Sequence, residues 1–123
     1  MDIYREEFLD HYHNPRNYGE IIDANAIMEL ENVSCGDKIK LWVNIKDGKI
    51  RDIKFQGEGC AVAIASTSVL TEYATGKSIE ALLKMDFAEL SKLLKVEFTI
   101  SRIKCASLGL ETLKKALNTV DRL

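Results

Sequence analysis

Asp47 and Gly48 separate two alternating runs, and no other feature of the chain restricts its fold as strongly. Before the pair, Ile39, Leu41, Val43 and Ile45 alternate with Lys38, Lys40, Trp42 and Asn44. After it, Ile50, Ile53 and Phe55 carry the apolar positions of a run from Ile50 to Gln56. Asp-Gly tolerates positive φ at both central positions of a tight turn, so the two runs read as strands folded back antiparallel. The step from Ile50 to Ile53 breaks strict alternation and predicts a bulge near Arg51 and Asp52 that returns Ile53 and Phe55 to the core face. Upstream, from Ala24 to Asn32, Ala26, Met28 and Leu30 alternate with Asn25, Glu29 and Glu31, which predicts another strand with Ile27 out of pattern.

A meander of this kind has a consequence for chemistry. With the Asp47-Gly48 turn at one end of the sheet, the loop joining the first two strands and the exit of the third both lie at the other end. Cys35, Asp37 and Cys60 therefore converge although 25 residues of sequence separate the two cysteines. Cys60 follows a Gly57/Gly59 loop and opens a predicted helix from Ala61 to Thr75, where unpaired N–H groups favour a thiolate. The sequence leaves two readings of it: a reactive or metal-binding thiol, or a small buried hydrophobe.

Elsewhere helices dominate. Tyr4, Phe8 and Tyr12 form an aromatic stripe on a helix from residue 2 to 13 that stops before Asn14-Pro15, and the stripe is expected to pack in the core. His11 and His13 near its end are either metal ligands or solvated, and solvation is the expectation. The helix after Cys60 is rich in Ala and Ser, which permits close backbone approach, and Gly76 is placed to end it. Ser78 is a candidate cap for a short helix bearing Ile79, Leu82 and Leu83, and Asp86 with Glu89 opens another through Leu94. Val96, Phe98 and Ile100 fit a brief strand or an extended link, and the link is expected. Ile103, Ala106, Leu110, Leu113, Leu117 and Val120 then recur at helical spacing, with Ser101 as the expected N-cap and Cys105 in the first turn at the rim of the stripe. The fold class is thus α+β, a three-stranded antiparallel sheet covered by four to five helices in a single domain spanning 1–123.

Composition narrows the function. A chain of 123 residues that is 46% hydrophobic and 29% charged is large enough to bury one core without staples. Its 17 Lys+Arg and 19 Asp+Glu offer no basic footprint for nucleic acid. No apolar run approaches the ~20 residues a membrane span needs, and the start has no signal-peptide core. The three cysteines, Cys35, Cys60 and Cys105, are an odd set that cannot form a complete disulfide framework, so they are expected as free thiols or ligands in a reducing cytoplasm. With Asp37 they would make a four-donor site suited to zinc or to iron with sulfide. No closely spaced Cys pair exists, which excludes a knuckle or ribbon but leaves three unrelated cysteines as the alternative.

Five ordered motifs carry a resemblance. They are Asp10-His11-Tyr12-His13-Asn14-Pro15-Arg16-Asn17; Ser34-Cys35-Gly36-Asp37; Asp47-Gly48; Gly57-Glu58-Gly59-Cys60 with Ala65-Ser66-Thr67-Ser68; and Arg102-Ile103-Lys104-Cys105-Ala106. From about Tyr4 to Leu117 the chain resembles the IscU/NifU/SufU family of iron–sulfur cluster assembly scaffolds. The resemblance implies an α/β sandwich carrying an iron–sulfur cluster, of the [2Fe-2S] type, on Cys35, Cys60 and Cys105, with Asp37 near or on the metal. It implies a cysteine desulfurase as sulfur donor, with Cys105 as the persulfide acceptor, iron as the second input, and apo iron–sulfur proteins as acceptors of the finished cluster. A homodimer is compatible with it. Zinc at the same four residues, organising a thiol for sulfur transfer as in SufU, is the alternative.

Two departures stand out. IscU-type members commonly place a histidine before the third cysteine; here Lys104 stands there, and a protonated lysine has no lone pair for a metal. The fourth ligand then falls to Asp37, while Lys104 either lowers the Cys105 pKa by its charge or is simply solvated. The Leu-Pro-Pro-Val-Lys segment read by the IscU chaperone is replaced by Phe98-Thr99-Ile100-Ser101-Arg102. Arg102-x-Lys104-Cys105 looks more like SufU, without the insertion SufU members carry ahead of it.

Overall fold

The two turn residues adopt the backbone their chemistry allows: Asp47 has φ 55° and Gly48 has φ 73°, a hairpin turn with both central residues left-handed. In the computed structural model, which describes residues 3–120, the turn joins β2 (Asp37–Lys46) to β3 (Lys49–Glu58). Asn44 pairs with Asp52 and Ile45 with Ile50, so Arg51 is the extra residue of the expected bulge. Beyond it Val43 pairs with Ile53 and Leu41 with Phe55, all four fully buried on one face. β1 (Ala26–Asn32) adds antiparallel to β2, from Ala26 opposite Val43 to Asn32 opposite Asp37, giving the order β1-β2-β3.

The other face is not simply solvated. Ile27, the residue out of pattern, lies opposite Trp42 there. Trp42 is only 6% exposed, and the Lys40 ammonium sits 5.0 Å from its ring centroid.

Five helices complete the fold: α1 (Ile3–His13), α2 (Ala61–Ala74), α3 (Ile79–Lys84), α4 (Phe87–Leu94) and α5 (Ile100–Asn118). Helix α2 packs on β3, α5 on β1 and β2, and the two helices pack on each other. Their approach is close because Gly109 of α5 faces Thr67 of α2; a Cβ at Gly109 would overlap the threonine side chain. Ala63, Ala65, Ser66 and Ser68 are likewise buried, as the small-residue composition of α2 anticipates.

The caps divide. Ser78 Oγ accepts from Ala81 N at 3.1 Å and Asp86 Oδ1 from Glu89 N at 2.9 Å, both as expected. Ser101 is not the N-cap of α5: the helix begins two residues earlier than that cap implies, at Ile100, with Thr99 at the cap position and no side-chain cap bond. The chain from Val96 to Thr99 is a link. The stripe on α1 is narrower than expected. Phe8 is in the core, edge-on to Phe98 at 5.6 Å, but Tyr12 is exposed, and the Tyr4 side chain lies outside the described residues. Among the described residues no helix is long and apolar enough to cross a membrane.

Candidate metal centre

At the end of the sheet opposite the hairpin, Asn32 and Asp37 pair across the mouth of a short turn, Val33–Gly36. The Asn32 carbonyl accepts from Cys35 N at 3.2 Å and Gly36 N at 2.9 Å, and Gly36 takes φ 73° to close the turn. Cys35 is left exposed. Asp37, the first residue of β2, is fully buried. A buried carboxylate needs donors, and this one finds them on the neighbouring chain. Its Oδ1 accepts from Cys60 N at 2.8 Å, and its Oδ2 lies 3.6 Å from the Cys60 Sγ, close enough to accept from the thiol.

That contact requires Gly59. Its φ of 126° is one that side chains rarely permit, and a Cβ there would overlap the Asp37 carboxylate and backbone. Cys60 itself sits at the N-cap of α2 with no side-chain cap bond, so Asp37 supplies from across the sheet the acceptor that a capping residue would.

Cys105 completes the group from α5. It lies in the second turn rather than the first and is 2% exposed, not at a rim. Cys35 Sγ, an Asp37 carboxylate oxygen and Cys105 Sγ all lie within 4.8 Å of one another. Cys60 joins through Asp37. Burial pushes the Cys105 thiol up strongly, and hydrogen bonds with Asp37, Cys35 and Cys60 push the same way. Lys104 is exposed and borders a groove with Glu31, Val33 and Leu108.

The donors fit a metal. A four-coordinate centre with metal–sulfur bonds of 2.3 Å holds its donors about 3.8 Å apart. Cys35, Asp37 and Cys105 already lie within 4.8 Å of one another; Cys60 Sγ is 3.6 Å from Asp37 but not within 4.8 Å of all three, so it has to move inward to serve as the fourth donor. Deprotonating the thiols on binding would replace hydrogen bonds with metal bonds. Three soft sulfurs with one hard oxygen suit zinc or an iron–sulfur unit.

The histidines do not join the centre. His11 is half-buried rather than solvated: its Nδ1 is 2.7 Å from Ser68 Oγ and its Nε2 3.4 Å from Glu72 on α2. Arg16 N also donates to Ser68 Oγ, Asn17 Nδ2 to Thr71 Oγ1, and the Asn17 carbonyl accepts from Phe55 N. The Asp10–Asn17 motif is therefore a clamp that fixes α1 against α2 and the edge of β3. His13 is exposed.

A meander roofed by two close-packed helices, with thiols and one buried carboxylate gathered at its open end, is the form of a sulfur-ligand carrier domain. Residues 3–122 match the NifU-like N terminal domain model, and the chain belongs to that family. It is similar to the iron–sulfur cluster assembly scaffold protein IscU 1 of Archaeoglobus fulgidus, 38% identical over 94% of this chain and 74% of that one. It is also similar to the zinc-dependent sulfurtransferase SufU of Bacillus subtilis, 33% identical over 94% of this chain and 89% of that one. Among solved structures, an iron–sulfur cluster assembly scaffold protein for the SUF system from Fervidobacterium islandicum AW-1 superposes with a TM-score of 0.76 at 30% identity, over 91% of this chain and 94% of that one. A NifU-like N-terminal protein of Brucella abortus matches with a TM-score of 0.76 over 94% of this chain and 92% of that one; at 18% identity it bears on the fold alone.

Proposed function

We propose that the chain is a scaffold for iron–sulfur cluster assembly, taking sulfur from a cysteine desulfurase and iron, holding a [2Fe-2S] unit as cargo, and passing it to apo-proteins in a reducing cytoplasm. The observation that carries the reading is the Asp37 carboxylate, buried and in contact with Cys60 while also within 4.8 Å of the Cys35 and Cys105 sulfurs. In this reading Cys35, Asp37, Cys60 and Cys105 are the ligands. The chain is a carrier and not a catalyst, and a homodimer is an allowed assembly.

Sulfur would arrive as the outer atom of a persulfide on the desulfurase. The attacking thiolate takes that atom, and the desulfurase cysteine leaves as its own thiolate. Cys105 is the acceptor in this scheme. Because it is 2% exposed, delivery requires the Val33–Gly36 turn to swing away, and exposed Lys104 then supplies positive charge beside the uncovered sulfur.

Asp37 has two duties. It holds Cys60 at the start of α2, and as a hard oxygen among soft sulfurs it keeps the cargo loosely bound. Anaerobic reconstitution followed by transfer to an apo-ferredoxin, monitored by visible absorbance, tests the scheme. Cys35→Ser, Cys60→Ser and Cys105→Ser should each abolish a stable cluster, and Asp37→Ala should slow its loss. Unchanged cluster content in all three cysteine variants would end the scaffold reading.

The similarity to the Bacillus SufU favours a second reading, a zinc-dependent sulfurtransferase using the same four residues. Metal analysis of protein purified without oxygen separates the two: iron with a visible chromophore for the first, zinc without colour for the second.

A further inference from the structure

The three sulfurs of the centre differ in access. Cys35 is exposed, Cys60 partly so, and Cys105 buried, yet Cys35 Sγ and Cys105 Sγ are within 4.8 Å of each other. We propose that the metal-free protein contains an oxidation site in which Cys35 and Cys105 close to an intramolecular disulfide when a small soluble disulfide such as oxidised glutathione reaches Cys35, leaving Cys60 as a thiol.

The choice of pair follows from what can move. Cys105 is fixed in the second turn of α5 by the packing of that helix. Cys60 is tethered twice to Asp37, through its backbone N–H and its sulfur. Cys35 is on an exposed turn held through the Asn32 carbonyl and through the Ser34 hydroxyl, which contacts the Asn32 side chain at 2.8 Å and the Cys35 sulfur at 4.0 Å. The next residue, Gly36, has φ 73° and nothing within 4 Å of where a Cβ would stand. The turn thus has room to carry Cys35 Sγ the remaining distance to a sulfur–sulfur bond of about 2 Å.

The chemistry balances in two exchanges. Cys35 sulfur attacks one sulfur of glutathione disulfide, a mixed disulfide forms, and one glutathione leaves with the proton Cys35 gives up. Cys105 sulfur then attacks Cys35 sulfur, the second glutathione leaves with the Cys105 proton, and the protein has lost two hydrogens while one glutathione disulfide has become two glutathiones. Two donors of the centre are then tied together and cannot bind metal until a dithiol reduces them. That consequence rests on the function proposed above; the disulfide itself depends only on the sulfur positions.

The test uses the full metal-free chain and glutathione disulfide, with no iron or desulfurase present, so its failure is separate from failure of cluster assembly. Thiol titration should fall from three free thiols to one, intact mass should drop by two hydrogens, and proteolysis should yield the Cys35 peptide joined to the Cys105 peptide. Cys60→Ser should still close the bond, and Cys35→Ser should keep its two remaining thiols at least tenfold longer, in proportion to access. Should a cysteine variant fail to fold, the cross-linked peptide from the unmodified sequence decides alone. A lasting glutathione adduct on Cys35, a Cys60–Cys105 or Cys35–Cys60 link, or three intact thiols would each overturn the proposal.

Discussion

The two ends of the sheet are built by different means. At the hairpin end the backbone satisfies itself: Asp47-Gly48 closes β2 onto β3, Gly76 N donates to the Ile50 carbonyl, Ile50 N to the Lys77 carbonyl, and Ile79 N to the Gly48 carbonyl. The hairpin and the α2–α3 connection are thus laced together through main-chain groups that almost any sequence could supply. At the cysteine end, the junction between β3 and α2 depends on one side chain, Asp37, reaching from β2 to Cys60 N. An end held by backbone is permanent. In the function proposed above, the carboxylate that holds the other end is also a metal donor, so that end could exchange its internal bonds for bonds to cargo.

The largest effect that separates the ends should come from glycine. Gly59→Ala sets a Cβ into Asp37 at φ 126° and should cost about 3 kcal/mol or more of metal-free stability. Gly76→Ala at the hairpin end faces open space at φ 85° and should cost about 1 kcal/mol. Urea denaturation of both variants gives the contrast, and equal losses would break it.

Next in size is Asp37→Ala, which strands Cys60 N and should lower metal-free stability by about 2 kcal/mol. Asp37→Asn keeps an acceptor and should lose less. Hydrogen exchange at Ile50 and Gly76 should stay slow in both, whereas the first turn of α2 should exchange faster in Asp37→Ala.

Ser78→Ala removes an ordinary cap at the hairpin end and should cost about 1 kcal/mol with no effect on metal uptake, measured by denaturation and zinc titration in parallel.

The smallest effect is one of pH. Burial of His11, reinforced by the Arg16 guanidinium, holds its pKa below the ordinary 6.5, while Glu72, Asp10 and Glu7 oppose the shift. The unfolded chain therefore takes up this proton first. The stability that neutral His11 provides is complete above pH 6.5 and is lost as pH falls through the lower folded value. Urea midpoints taken from about pH 7.5 to about pH 5.5 should fall less in His11→Gln than in the parent.

Much of the fold is legible in the sequence because turn chemistry and alternation are local. Asp47-Gly48, the break at Ile50/Ile53 and the Ser78 and Asp86 caps each act within a few residues, and each appears where its pattern points. The convergence of Cys35, Asp37 and Cys60 also follows from strand order alone. What escapes is whatever depends on a distant partner. Nothing near Asp37 in sequence reveals that it accepts from Cys60 N, 23 residues later at the cap of α2, or that Gly59 must yield space to it. His11 reads as solvated because Ser68, its partner, is 57 residues away. The α5 start slips by two residues because Thr99 and Ser101 both carry hydroxyls that suit a cap, and Cys105 lies in the interior rather than at the expected rim.

In the proposed function four side chains form one inorganic site, and X-ray absorption at the zinc edge of the zinc-loaded full chain tests this most directly. Three sulfur neighbours near 2.3 Å and one oxygen near about 2.1 Å are expected, with the oxygen shell altered in Asp37→Ala and one sulfur lost in each of Cys35→Ser, Cys60→Ser and Cys105→Ser. A shell with two sulfurs or fewer, or one that does not change when Cys105 is replaced, would contradict it.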